Sequence, residues 1–308
     1  MRILVTGASG LLGAHVMAAL GLRHTVVGID RHPWWGDSPV QLVSGDLCSP
    51  SFVESVMSDA DPDIVVHCAA MVNVDACERD PAAAFECNAI MPRRIVRATP
   101  PEALFVYITT DGIFSGDTPL VTEEEPPAPR TVYGRSKLRG EVEVQRATTN
   151  HLIIRTNFYG WSSGRKTTSA EWLYQALLSG TPITAFEDFF FTPTYVVDFV
   201  QQLERLIEST HRGVFHMCGG ERVSKHDFAQ RMAASASLSP GPISRGSIDA
   251  AGLLAPRPKD MSLSCARAER ALGLAMPGLD RGLGRFLADR LVPLSQRLSR
   301  GIGGAVDE

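Results

Sequence analysis

Arg2-Ile3-Leu4-Val5-Thr6-Gly7-Ala8-Ser9-Gly10-Leu11-Leu12-Gly13 is the stretch that decides the fold. Arg2 to Thr6 is a short apolar run with β-branched residues, the pattern of a strand. Leu11, Leu12, Val16 and Leu20 then recur at helical spacing, so the local order is strand, glycine turn, helix. Such a turn places backbone N–H groups at a helix N-terminus, where their partial positive charge suits a pyrophosphate. One glycine permits the tight turn, one lets phosphate approach, and one lets helix and strand pack closely. Gly7, Ser9, Gly10, Leu11, Leu12 and Gly13 are therefore candidate cofactor-binding residues. A glycine turn without a ligand carries the same local pattern, so the reading needs support from the rest of the chain.

That support begins with Thr25-Val26-Val27-Gly28-Ile29, a second apolar run ending at Asp30. An acidic side chain at a strand tip about twenty residues beyond the glycines suits the hydroxyls of an adenosine ribose and repels a 2'-phosphate. Arg31 follows and partly offsets that repulsion, so NAD is favoured and NADP stays open. A third strand, Val40 to Val43, leads to Asp46 and Leu47, which join the cofactor set, and Pro50 to Met57 reads as a helix capped by Ser49. Asp63 to Ala70 reads as a buried parallel strand. Cys68, Ala69 and Ala70 at its end, with Val72 just beyond, are small enough or near enough to lie against a flat cofactor. Pro81 to Ala98 is a helix candidate that Pro92 should kink or break, with Asn88 inside it as a holder of nearby backbone or water.

Leu104 to Ile108 is the next central strand and ends at Thr109-Thr110-Asp111; Leu152 to Arg155 is another and ends in Thr156-Asn157-Phe158-Tyr159-Gly160. Between them Glu123, Glu124 and Glu125, followed by Pro126, Pro127 and Pro129, read as a solvated loop. Strands alternating with helices give an α/β fold, a Rossmann-type doubly wound parallel sheet over residues 1–160. Beyond Trp161 the pattern loosens into short elements. Residues 161–191 and 218–256 read as a smaller C-terminal substrate-binding lobe, with about 192–217 and 257–285 returning to the first domain. The stretch 290–308 reads as a partly disordered tail, and Arg281, Arg285, Arg290 and Arg297 as one solvated helix face.

Tyr133-Gly134-Arg135-Ser136-Lys137 sits where a helix should begin after the proline loop. On a helix the phenol and the ammonium share one face, a turn apart. A cation there favours the phenolate and lowers the tyrosine pKa from about 10 toward neutrality, making Tyr133 a usable proton donor or acceptor.

The 308 residues allow a substantial core, and 21% charged with 44% apolar residues is ordinary globular composition. A net charge of -4 gives no footprint for nucleic acid, and no stretch approaches the roughly 20 apolar residues of a membrane span. With a strand starting at Arg2 there is no room for a signal peptide, so a cytoplasmic protein is expected. Cys48, Cys68, Cys77, Cys87, Cys218 and Cys265 lack metal-ligand spacing and read as small buried hydrophobes; no metal is assigned.

The glycine turn, the small-residue strand end Ala69-Ala70 and Tyr133-x-x-x-Lys137 together resemble the extended short-chain dehydrogenase/reductases. Within them the chain is similar to the dTDP-4-dehydrorhamnose reductase group in Ala69-Ala70-Met71-Val72-Asn73-Val74-Asp75-Ala76-Cys77-Glu78, in Thr109-Thr110-Asp111-Gly112-Ile113-Phe114 and in Arg257-Pro258-Lys259-Asp260-Met261-Ser262-Leu263. Met71 and Gly112 stand where the group usually has tyrosines, and Asp111-Gly112 lacks the Asp-Glu pair of the sugar-nucleotide 4,6-dehydratases.

The resemblance implies NAD(P)H-dependent reduction of a nucleotide-linked 4-keto-6-deoxy sugar. It casts Tyr133 as proton donor, Lys137 as the group that tunes it and holds the nicotinamide ribose, and Thr110 as a hydrogen-bond partner of the substrate carbonyl. Asp111, Asn157, Phe158, Trp161, Phe191 and Arg257 are the remaining substrate-binding candidates, Arg257 as a fork for the pyrophosphate. A homodimer is compatible with this reading. Two alternatives stay open: a sugar-nucleotide epimerase or dehydrogenase of the same fold, and a non-catalytic regulatory subunit like that of methionine adenosyltransferase.

Overall fold

The computed structural model describes residues 1–37, 39–162 and 166–299. Its frame is β1 (Arg2–Thr6), α1 (Leu11–Leu20), β2 (Thr25–Asp30), β3 (Gln41–Ser44), α2 (Pro50–Ala60), β4 (Ile64–His67), β5 (Leu104–Thr110) and β6 (His151–Thr156), completed by a strand at Gly213–His216. These seven strands form one sheet in the order Gly213–His216, β6, β5, β4, β1, β2, β3, with every neighbouring pair parallel. The strand order reverses between β1 and β4, so a crevice opens beyond their carboxyl ends.

Side-chain alternation along each strand feeds two separate cores. Leu4, Val65, Phe105, Tyr107 and Ile153 pack on one face with Val53, Ile95 and Val144. Ile3, Val5, Val66, Val106, Ile108 and Ile154 pack on the other with Leu12, Val16, Val197 and Leu203. Both faces are covered by helices, which is why the strands read as continuous apolar runs rather than as alternating ones.

The glycine turn is closed by contacts that tolerate no side chain. Gly7 has φ +67°, and a Cβ on it would lie 2.8 Å from the backbone nitrogen of Ala69. A Cβ on Gly13 would lie 2.1 Å from the Gly7 carbonyl oxygen. The first helical turn can therefore sit directly on the end of β1.

A smaller set of elements stands apart from the sheet. Ile183–Phe186 pairs in parallel with Ile243–Gly246, Phe190–Phe191 pairs antiparallel with Val223–Ser224, and the helices Ser169–Ser179 and Lys225–Ser235 pack beside them.

Several local readings change. The helix expected over residues 81–98 is Pro81–Phe85, a π-helical turn at Glu86–Ile90, and Met91–Ala98. Pro92 has no N–H to bond the Asn88 carbonyl, and that oxygen accepts the Tyr107 hydroxyl at 3.0 Å instead. A helix at Val74–Arg79 carries no periodic signal long enough to detect. Glu123 is not solvated: it accepts the backbone N–H of His216 at 2.8 Å. The late arginines do not share a solvated face either. Arg285 pairs with buried Asp198, Arg290 donates to the Tyr174 hydroxyl at 2.8 Å, and Arg297 is buried. Within the stretch read as a tail, Leu294–Ser299 is a helix, and Leu294 and Leu298 are buried. Residues 301–308, read as disordered, lie outside the described residues. Cys77, Cys218 and Cys265 are buried, whereas Cys48, Cys68 and Cys87 are only partly so.

Candidate active site

Tyr133 and Lys137 lie on the helix Val132–Ala147. Three contacts fix where this helix starts. The Thr131 side chain caps the Gly134 N–H at 2.9 Å, and Glu78 from the helix Val74–Arg79 accepts the Val132 N–H at 2.7 Å. Asn88 clamps the helix from beneath: its amide donates to Ser136 Oγ at 3.0 Å and to the Met71 carbonyl at 3.0 Å, and its oxygen accepts the Met71 N–H at 2.9 Å. Ser136 Oγ in turn donates to the Tyr133 carbonyl at 2.8 Å. Asn88 therefore holds backbone, as its sequence position suggested, and the backbone it holds carries Tyr133.

Two cavities meet at this helix. A cleft of about 830 Å³ runs along the carboxyl ends of the strands and is lined by Gly7, Ser9, Gly10, Leu11, Leu12, Gly13, Asp30, Arg31, Asp46, Leu47, Cys68, Ala69, Ala70, Val72, Lys137 and Phe158. Every sequence-predicted cofactor residue lies on it. A second cavity of about 490 Å³, lined by Phe186, Phe189, Lys225, Phe228, Arg257 and Met261 among others, lies toward the smaller lobe. Thr110, Asp111, Tyr133 and Asn157 border both.

At that junction a row of polar groups runs from cleft to cavity. The Tyr133 phenol and the Thr110 side chain face the same junction. The Thr110 hydroxyl donates to Asp111 Oδ1 at 2.9 Å, and the Asn157 amide donates to Asp111 Oδ2 at 2.7 Å. Burial pushes the Asp111 carboxyl up to about 6 despite these donors.

The electrostatics differ from the sequence expectation. Burial raises the Tyr133 phenol well above its ordinary 10, and Lys137 does not pull it toward neutrality. The lysine is itself buried, which lowers its pKa to about 7. Its Nζ donates to the Ile108 carbonyl at 2.8 Å and lies 4.3 Å from the centre of the Tyr107 ring. Asp30 accepts the Ser9 N–H at 2.9 Å through Oδ2 and the His32 N–H at 2.9 Å through Oδ1, which fixes its carboxylate at the tip of β2.

Two aromatic assignments, Trp161 and Phe191, are corrected. Trp161 borders neither cavity: it is buried flat on Phe286, with centroids 4.3 Å apart, and its indole N–H donates to the Phe286 carbonyl at 2.5 Å. Phe191 is buried behind the wall, and its neighbour Phe189 lines the second cavity instead. Phe158 lines the cleft and not that cavity. Arg257 does line the cavity, with its guanidinium donating to Asp75 at 3.0 Å. Lys225 was missed, because nothing around it in sequence sets it apart from a helix-opening lysine.

The glycine turn at a topological switch point, with a Tyr-x-x-x-Lys helix beside it, defines an extended short-chain dehydrogenase/reductase fold. The chain belongs to the RmlD substrate binding domain family, whose model matches residues 1–292. It is 29% identical to the probable low-salt glycan biosynthesis reductase Agl14 of Haloferax volcanii over 92% of this chain and 96% of that one. It is 28% identical to methionine adenosyltransferase 2 subunit beta of Mus musculus, over 94% of this chain and 89% of that one. Among solved structures it resembles the dTDP-4-dehydrorhamnose reductase of Bacillus anthracis in complex with NADP, with a TM-score of 0.84, 28% identity, and coverage of 94% and 99% of the two chains.

Proposed function

We propose that this chain reduces the keto group of a nucleotide-linked 4-keto-6-deoxy sugar with a nicotinamide dinucleotide. The observation that carries the reading is the meeting of two cavities at Tyr133, Thr110, Asp111 and Asn157. One has the shape and lining of a dinucleotide cleft, and the other opens on the reacting groups from the opposite side. Membership of a family that includes keto-sugar reductases supports the same assignment.

The cleft fits the cofactor on its own terms. Gly7 and Gly13 leave no room for a side chain beneath the turn, and Leu11 and Leu12, the first residues of α1, line the cleft. Bound there, a reduced nicotinamide supplies the hydride. Asp30 would hold the adenosine ribose, so NADH is the favoured form, while Arg31 beside it keeps NADPH usable.

The protein supplies the proton and the alignment. Thr110 orients the substrate carbonyl beside the phenol, and Tyr133 donates its proton to the oxygen as negative charge builds there. A phenol held protonated by burial suits that direction of reaction. On cofactor binding Lys137 holds the nicotinamide ribose and supports the phenolate left behind. Arg257, oriented by Asp75, grips the substrate's pyrophosphate.

The test is to follow NADH and NADPH absorbance with a panel of nucleotide-4-keto-6-deoxy sugars. Stoichiometric consumption supports reduction. Tightly retained cofactor without net consumption would point to an epimerase. No turnover, with a synthetase co-purifying, would point to a regulatory subunit such as the mammalian relative.

A further inference from the structure

Lys225 opens the helix Lys225–Ser235, whose start is fixed by a capping box between Ser224 and Asp227. Its Nζ lies 3.4 Å from the centre of the Phe191 ring and 5.3 Å from that of Phe189. The π faces hold the cation without accepting a conventional hydrogen bond from it. Among the described residues no protein acceptor takes a hydrogen bond from this ammonium and no ion pair within 4.0 Å holds it, while the Asp111 carboxylate on the same cavity supplies the opposite charge. Both residues line the substrate-side cavity.

A half-buried ammonium on a cavity wall with unused N–H donors is set to meet whatever acceptor enters the cavity. Phe186, Phe189, Phe228 and Met261 on the same wall are apolar. Tyr133, Thr110, Asp111 and Lys225 therefore form one polar set lining a single cavity, in which the Thr110 hydroxyl donates to Asp111. A ketone carbonyl placed at the first two members puts the substituent on its neighbouring carbon at the last two. Asp111 can only accept when ionised and Lys225 can only donate. A hydroxyl, which does both, satisfies the two at once.

We propose that Lys225 contacts the substrate directly, donating to the hydroxyl on the carbon next to the keto carbon while Asp111 accepts from that hydroxyl. The preferred substrate is thus an α-hydroxy ketone on a pyranose ring, and an apolar ketone of similar size is rejected. The inference rests on the keto-sugar reading above and adds to it the residue that selects the ring.

The test compares the full-length protein with Lys225→Met, which keeps the length of the side chain and removes its charge and donors. Calorimetry measures the binding of dTDP-glucose, UDP-glucose and GDP-mannose, and of the corresponding nucleoside diphosphates, to protein saturated with NADH. Affinity for the nucleotide sugar accepted by the wild type is expected to fall about ten- to a hundredfold, the usual loss of a charged hydrogen bond. Affinity for its nucleoside diphosphate and for NADH should stay unchanged, and KM for the keto sugar should rise in step. Equal affinity of variant and wild type for the nucleotide sugar would overturn the inference alone. So would a parallel loss of NADH affinity, which would make Lys225 a residue of the fold. A wild-type protein that binds none of the three nucleotide sugars would instead overturn the keto-sugar reading, and this inference with it.

Discussion

Tyr133 stands with Thr110 at the junction of two cavities, and burial keeps its phenol protonated across the physiological range. Replacing Tyr133 with Phe removes the proton donor while leaving the cleft walls intact. The expected result is an unchanged Kd for NADH and kcat lowered by roughly 10²–10⁴, as for loss of a general acid; steady-state kinetics with a keto sugar reads both. At the other end of the cleft, the Asp30 carboxylate is held by two backbone N–H groups at the tip of β2. Asp30→Ala should shift the ratio of kcat/KM for NADPH over NADH upward by about tenfold, the usual worth of one well-placed charge. An unchanged ratio would remove Asp30 from cofactor selection. The glycines, Asp30, Tyr133 and Lys137 were legible because each belongs to a short pattern with a local physical reason. Trp161 was misread and Lys225 missed for the opposite reason. The partner of Trp161 is Phe286, far along the chain, and Lys225 shares a cavity with Asp111 only once the fold assembles it.

The helix Val132–Ala147 and the broken helix over residues 81–98 act as one support. The π turn forced by Pro92 frees the Asn88 carbonyl for Tyr107 and leaves the Asn88 side chain to bridge Met71 and Ser136. Asn88→Ala would leave the Met71 amide unpaired and its carbonyl with only the weak Cys77 thiol donor, in a partly buried site. A stability loss of about 1–3 kcal/mol is expected from urea unfolding, accompanied by a lower kcat because the Tyr133 backbone loses its anchor. Unaltered unfolding would show that the bridge contributes nothing. The sequence indicated a break near Pro92 but not its form, since the form depends on a hydroxyl from β5. Likewise, Asp75 and Glu78 could be located by resemblance but not explained. In the structure they tie a six-residue helix to Arg257 on one side and to the start of the tyrosine helix on the other.

Across the molecule, the doubly wound sheet was the most legible feature, because buried parallel strands leave continuous apolar runs and the turn after β1 is chemically distinctive. The smaller lobe was harder to read: its strands are two to four residues long and carry little periodicity. Three buried histidines give the whole fold a pH dependence. Burial lowers His15 to about 4 and His67 and His216 to about 3, against the ordinary 6.5. Between those values the unfolded chain binds more protons than the folded one, so stability is present above about 6.5 and is lost as pH falls. Asp111, raised from 3.8 to about 6, acts in the opposite direction over its own window, but it is one group against three. The urea midpoint should therefore drop between about pH 7 and pH 5, and His67→Gln should flatten that drop. A midpoint that rises on acidification would contradict the assignment of these histidines as neutral in the fold.

The most direct measurement of the central claim is the absorbance of NADH, or of NADPH, mixed with a nucleotide-4-keto-6-deoxy sugar and either the wild-type protein or Tyr133→Phe. The wild type should consume one equivalent of reduced cofactor per sugar, and the variant should do so at a rate lower by orders of magnitude. Equal rates for the two proteins, or no consumption with any sugar of the panel by a wild type that binds the cofactor, would contradict it.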